Sequence, residues 1–128
     1  MTEIYTDGSC IGNPGPGGWA FCILQNNEEY CMSDGVKNTT NNRMEIWAVV
    51  EALNCLKEGK YTIYTDSQLV INCAQGKWKR RKNIDIWSEY DKISQGKSLT
   101  WVWVKGHSGN KYNELVDSMA QFEARNLI

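Results

Sequence analysis

Apolar and polar positions along the chain change their period several times, and each change marks an element. Residues 3–6, 19–25 and 29–36 read as strands, with Asn26 and Asn27 suited to a hairpin turn between the second and third. They predict an antiparallel meander. The polar stretch KNTTNN at 37–42 then breaks the alternation and offers caps for a helix beginning near Arg43. From Glu45 onward, Val49, Ala52, Leu53 and Leu56 recur at helical spacing, while Trp47, Glu51, Asn54 and Glu58 line another face. Gly59 is expected to stop that helix. Residues 61–65, YTIYT, predict a fourth strand running into Asp66, followed by a short helix over 67–74 and another carrying Ile84, Trp87 and Ile93 to about residue 94. LTWVWV at 99–104 is nearly all apolar, as expected of a strand buried on both faces. A loop holding the only histidine, His107, leads to a final helix over 114–125, where Ala120 and Ala124 are small enough to let the helix approach a sheet closely.

The order β-β-β-α-β-α-α-β-α fits an α/β fold with one mixed sheet and helices on its faces. Composition changes this picture little. With 128 residues, 41% hydrophobic and 23% charged, residues 1–128 are expected to form a single globular domain, and no apolar run approaches a membrane span. The five cysteines, Cys10, Cys22, Cys31, Cys55 and Cys73, have no C-x-x-C spacing and sit in or beside apolar runs. They are expected to be reduced, packed thiols. Together with the absence of a basic or apolar leader after Met1, they point to a cytoplasmic protein. No long apolar stripe is left over, so a monomer without an obligate protein partner is expected.

Charge alters the picture locally. The formal net charge is −1, but GKWKRRK at 76–82 packs five cations around Trp78 with no acid among them. Such a segment reads either as a solvated loop or as a surface that holds phosphates, and the interleaved tryptophan favours the second.

The acids carry the candidate chemistry. Asp7 ends the first strand-like run and is followed by the glycine-rich stretch GSCIGNPGPGG, which reads equally as a solvated turn or as a place where backbone meets a ligand. Asp66 ends the fourth strand in the same way. A strand reached by a helical crossover lies parallel to the first, and open sheets collect active groups at the carboxyl ends of such strands. Glu45 heads an apolar stripe, where a carboxylate is costly unless something meets it. Asp117 lies one turn before Ala120. Four carboxylates gathered without lysine or arginine repel one another unless cations enter or some acids are protonated. An all-oxygen set selects hard ions such as magnesium or manganese, and two of them serve in-line phosphoryl displacement.

The blocks TDGSCxGNPGPGG, TTNNRME, TDSQ and VKGHSG ahead of NExxD occur in this order from Ile4 to Ala120. They resemble the type-one ribonuclease H family. The resemblance implies the ribonuclease H-like fold, a five-stranded mixed sheet of order 3-2-1-4-5 flanked by helices. It also implies a magnesium-dependent endoribonuclease, with manganese a possible substitute, that cuts the RNA strand of RNA–DNA hybrids with two ions and leaves 5′-phosphate and 3′-hydroxyl ends. By the same resemblance Asp7 bridges both ions, Glu45 and Asp66 hold the one on the leaving-group side, and Asp117 holds the one that activates water. His107, which alone reads as a solvated loop histidine, sits on a mobile loop and assists proton transfer or product release. Gly8, Ser9 and Cys10 meet the ribose, Asn41, Asn42 and Gln68 reach the minor groove, and Asn13 and Thr40 approach a phosphate of the DNA strand. Asn and Thr at such positions also cap helices and shape turns.

The chain departs from the family in its basic segment. Many cellular relatives carry a longer protrusion there, whereas only about ten residues join the two helices here. Trp78, Lys79, Arg80 and Arg81 are expected to keep the phosphate contacts in shortened form, with weaker and more salt-sensitive binding than relatives that have a protrusion or a separate hybrid-binding domain. The alternative from another class is a non-catalytic hybrid-binding module on the same fold. It predicts a missing acid, and none of the four is missing.

Overall fold

The computed structural model describes residues 1–128. Five strands, β1 (Thr2–Cys10), β2 (Gly15–Gln25), β3 (Glu28–Thr39), β4 (Gly59–Thr65) and β5 (Lys97–Trp103), form one sheet of order β3-β2-β1-β4-β5. The first three are an antiparallel meander, and β4 and β5 add in parallel on the other side of β1. Asn26 and Asn27 both take left-handed backbone (φ 55° and 64°), the geometry that a tight hairpin with the right twist demands. The helices are α1 (Asn41–Asn54), α2 (Gln68–Ala74), α3 (Ile84–Ile93) and α4 (Lys111–Arg125). The α/β class and the strand order agree with the sequence reading.

Each face of the sheet has its own core. Val49, Ala52 and Leu53 of α1 are buried with Ile4, Phe21, Ile63, Val70 and Trp87 on one side. On the other side, Val116 and Ala120 of α4 pack against Tyr5, Ala20 and Cys22. Close approach there depends on small residues. A Cβ on Gly18 would lie 2.2 Å from the Ala120 carbonyl oxygen. The absence of a side chain there is what allows the third and fourth turns of α4 to seat against the sheet.

Several expectations are corrected. Strand β1 does not end at Asp7: Gly8, Ser9 and Cys10 pair with Trp19, Gly18 and Gly17, so the glycine-rich stretch opens inside the hairpin rather than at its end. What does stop near Asp7 is the parallel pairing with β4, whose last partners are Tyr5 and Tyr64. Helix α1 ends at Asn54, ahead of Gly59, which instead opens β4. Strand β5 is not buried on both faces. It is an edge strand on which Ser98, Thr100 and Trp103 are exposed. Finally, the cysteines are not all free. Cys22 and Cys31 face each other in the β2–β3 register and form a disulfide, while Cys10, Cys55 and Cys73 remain thiols. The cross-strand register, invisible to spacing along the chain, is what brings that pair together.

Candidate active site

Each acid owes its place to a different element. Asp7 lies on β1 beyond its parallel ladder, and Asp66 lies one residue past β4. Thr40 caps α1 by accepting from the Arg43 amide at 3.3 Å, so Glu45 falls early on the helix and on its inward face. Asn110 caps α4 in the same way at 2.9 Å and places Asp117 in the second turn. Oxygens of Asp7, Glu45 and Asp66 lie within 4.8 Å of one another. Asp117, on α4, is not part of that 4.8 Å set, although its carboxyl adds to the raised pKa of both Asp7 and Asp66.

Burial makes this arrangement costly. Asp7 and Glu45 are only 4% and 6% exposed. The Gly8 amide donates to Asp7 Oδ1 at 2.9 Å and also to Glu45 Oε1, the only backbone donor either acid receives. Gly8 is required here, because a Cβ would lie 2.4 Å from the Glu45 nitrogen. Loss of hydration, then the neighbouring Glu45 carboxyl, raises the Asp7 pKa far above the carboxylate range. Burial likewise pushes Glu45 up to about 7, offset in part by hydrogen bonding to Asp7. Burial followed by repulsion from Asp117 raises Asp66, with His107 acting in the opposite direction. No lysine or arginine forms an ion pair with any of the four. The carboxyls of Asp7, Glu45 and Asp66, with raised pKa and no cation of their own, are suited to binding divalent cations through oxygen.

A family model described as RNase H matches residues 1–125. The chain belongs to the RNase H family. It is 45% identical to the Ribonuclease H of Pseudoalteromonas translucida over 93% of this chain and 86% of that one. It is also 45% identical to the Ribonuclease HI of Helicobacter pylori strain 26695, over 96% and 92%. Among solved structures, that of LC11-RNase H1 in complex with RNA/DNA hybrid superposes with a TM-score of 0.85 at 23% identity, covering 98% of both chains. LC9-RNase H1 superposes at 0.81 and 27%, covering 99% of this chain and 73% of that one.

The other predicted residues of this chain fall into two groups. His107 occupies the β5–α4 loop with left-handed backbone (φ 56°), 77% exposed, its Nδ1 3.8 Å from Asp117 Oδ2. Asn41, Asn42 and Gln68 are exposed at helix starts, and Ser9 is half-buried. Others are already occupied within the fold. Asn13 Oδ1 accepts from the Asn41 backbone amide at 2.8 Å, Thr40 caps α1, and the Cys10 thiol donates to the backbone carbonyls of Gly15 and Thr39.

The basic segment divides in the same manner. Trp78, Lys79 and Arg81 are exposed and line, with Asn42 and Leu69, a cleft of about 320 Å³. Arg80 turns inward. Its Nε donates to the Cys73 carbonyl at 3.1 Å, its Nη1 bonds both Asp91 oxygens at 2.8 Å, and its guanidinium lies 4.6 Å from the Trp87 ring centroid. The far end of the segment is tied down by Arg43, which donates to Asp85 at 3.1 and 2.8 Å and to Asn83 at 3.3 Å.

Two supporting side chains were missed in the sequence. Gln121 Nε2 donates to both Asp117 oxygens at 3.1 and 3.2 Å, a contact signalled only by its spacing of four residues on one helix. Trp103 Nε1 donates to the Asp66 carbonyl at 3.2 Å, and the Val104 amide to that of Thr65 at 2.9 Å, so the end of β4 is held from β5. No local signal marks the Trp103 contact, which depends on strand register.

Proposed function

We propose that this chain hydrolyses the RNA strand of RNA–DNA hybrids. The observation that carries the reading is the meeting of Asp7, Glu45 and Asp66 within 4.8 Å, on the framework of a family whose relatives are named ribonuclease H. The donor set fits magnesium, with manganese as a substitute. Asp7, Glu45, Asp66 and Asp117 would hold two ions, with Asp7 shared. When bound, such ions lower the pKa of a water and offset charge on the leaving oxygen, the chemistry that leaves 5′-phosphate and 3′-hydroxyl ends.

The chain's own groups supply the rest. Gly8, whose missing side chain lets β1 pack on the α1 backbone at Glu45, sets the strand that runs beside a ribose, and Ser9 adds a hydroxyl there. A 2′-hydroxyl is what separates RNA from DNA, and it is displayed in the wide minor groove of an A-like duplex. Asn41, Asn42 and Gln68 present amides towards that groove, and amides pair with base edges without demanding a sequence. Asn13 and Thr40 serve a DNA-strand phosphate in addition to their capping roles. His107, exposed beside Asp117, is placed to take or give a proton at its imidazole as product departs. Trp78, Lys79 and Arg81 hold the flanking duplex through phosphates.

The test is a substrate panel. Cleavage of hybrid, RNA duplex, DNA duplex and single strands is compared in magnesium, with Asp66→Asn as control. The hybrid alone should be cut, and the variant should be inactive. Equal cutting of all substrates, or undiminished activity in Asp66→Asn, refutes the assignment.

A further inference from the structure

One face of α4 carries a second feature beside the acids. Asp117, Gln121 and Arg125 recur every four residues and so stand on one face of the helix. Gln121 spends its amide on Asp117, and its Oε1 accepts from Arg125 Nη2 at 3.3 Å. Arg125 is exposed and forms no ion pair. With Ser9 and Ile11 from the end of β1 and the turn after it, Gln121 and Arg125 line a cleft of about 250 Å³. Ser9 is two residues from Asp7, so the Ser9 end of this cleft is the one nearer the acids.

The chemistry of this cleft is that of an anion site. One of the five guanidinium donors of Arg125 is used on Gln121, which leaves the others free in a fork that matches a phosphate. A basic residue in the last turn also complements the helix carbonyl end, but that effect needs no cleft and no glutamine partner. At about 1.5 Å of rise per residue, Arg125 lies roughly 12 Å along the helix from Asp117. Duplex backbones carry a charge about every 3.4 Å of axis per strand, so the cleft is a few linkages from the bond at the acids. From this we infer that Arg125, joined to Asp117 through Gln121 and lining the cleft with Ser9 and Ile11, forms a subsite for one backbone phosphate of the strand being cut. This subsite rests on the RNA–DNA hybrid reading above.

The experiment measures binding of a short RNA–DNA hybrid in magnesium across a salt series, in an Asp66→Asn background so that it does not depend on cleavage. Arg125→Ala should weaken binding about 5- to 10-fold and lower the slope of log affinity against log salt by about 1, while Arg125→Lys should keep the slope. A single uncharged linkage, placed 3′ to a 2′-deoxynucleotide, is then moved along the RNA strand. At one position near the site it should weaken the Arg125 protein as strongly as Arg125→Ala does, and add nothing to Arg125→Ala. An unchanged affinity and salt slope, or equal effects of the neutral linkage at every position, overturns the subsite. In the cleaving protein, a fall in kcat at unchanged KM for Arg125→Ala also overturns it, because Arg125 would then act only through Gln121. Failure of the wild-type protein to cut the hybrid counts instead against the activity itself.

Discussion

The four acids are drawn from β1, α1, the end of β4 and α4, whereas the basic segment is a single run of neighbours at 76–82. In the first region, carboxyls are brought together without a lysine or arginine, two of them buried and sharing one backbone amide. In the second, like charges are relieved by opposite partners: Arg80 goes to Asp91 and to the aromatic rings, and the rest go to solvent. Frustration that the fold maintains is a sign of function, since burial without compensation costs several kcal/mol per ion. A charge that the fold pairs is a sign of structure. The comparison teaches that a run of cations along the chain includes one that the fold pairs, whereas the acids drawn from separate elements are left without a lysine or arginine partner.

The sharpest break between the two regions comes from a single carboxyl. Asp66→Asn should reduce hybrid cleavage by about 10³-fold or more, because several kcal/mol of charge stabilisation depend on the ligand set. Its melting temperature without metal should stay level or rise. A variant that melts far below the parent would place Asp66 with the structural charges instead.

The pH response of the metal-free protein gives the next largest effect. Asp7 and Glu45 have folded pKa values raised above their usual 3.8 and 4.5, so their contribution is fully present below those values and is lost as pH rises. For Glu45 the loss spans pH 4.5 to about 7 and is on the order of 3 kcal/mol. Denaturant midpoints in chelator should therefore fall across that window. Magnesium should restore them, and Asp7→Asn should flatten the fall. A stability that rises over the same window would contradict the electrostatic picture.

Within the basic segment, Arg80→Ala should cost about 1 to 3 kcal/mol of stability through its packing and paired charge, with the salt slope of hybrid binding nearly unchanged. Lys79→Ala with Arg81→Ala should do the opposite, moving stability by less than about 0.5 kcal/mol and lowering the slope by about 2. Equal salt slopes for the two variants would erase the division drawn between them.

Much of this was legible in the chain, and the reason differs by feature. The helical stripe after Glu45 and the alternation of the first three strands reflect local periodicity, so the α/β class followed from them directly. The meeting of Asp7, Glu45 and Asp66 was legible in two strand ends, a helix start and the ordered blocks around them, whereas Asp117 lies outside their 4.8 Å set. What failed depends on contacts across the sheet. LTWVWV was read as doubly buried because apolar content does not reveal an edge, and the Cys22–Cys31 pair depends on a register that spacing does not encode. Arg80 was grouped with its neighbours because a run of cations does not say which one finds an acid eleven residues away. The Trp103 bond to the Asp66 carbonyl is of the same kind.

The most direct measurement follows both strands of one hybrid at once, each with its own label, in magnesium and then in chelator. The account predicts that only the RNA strand shortens, that the fragments carry 5′-phosphates and 3′-hydroxyls, and that chelator stops the reaction. Cutting of the DNA strand at a similar rate, or cutting that persists in chelator, would contradict it.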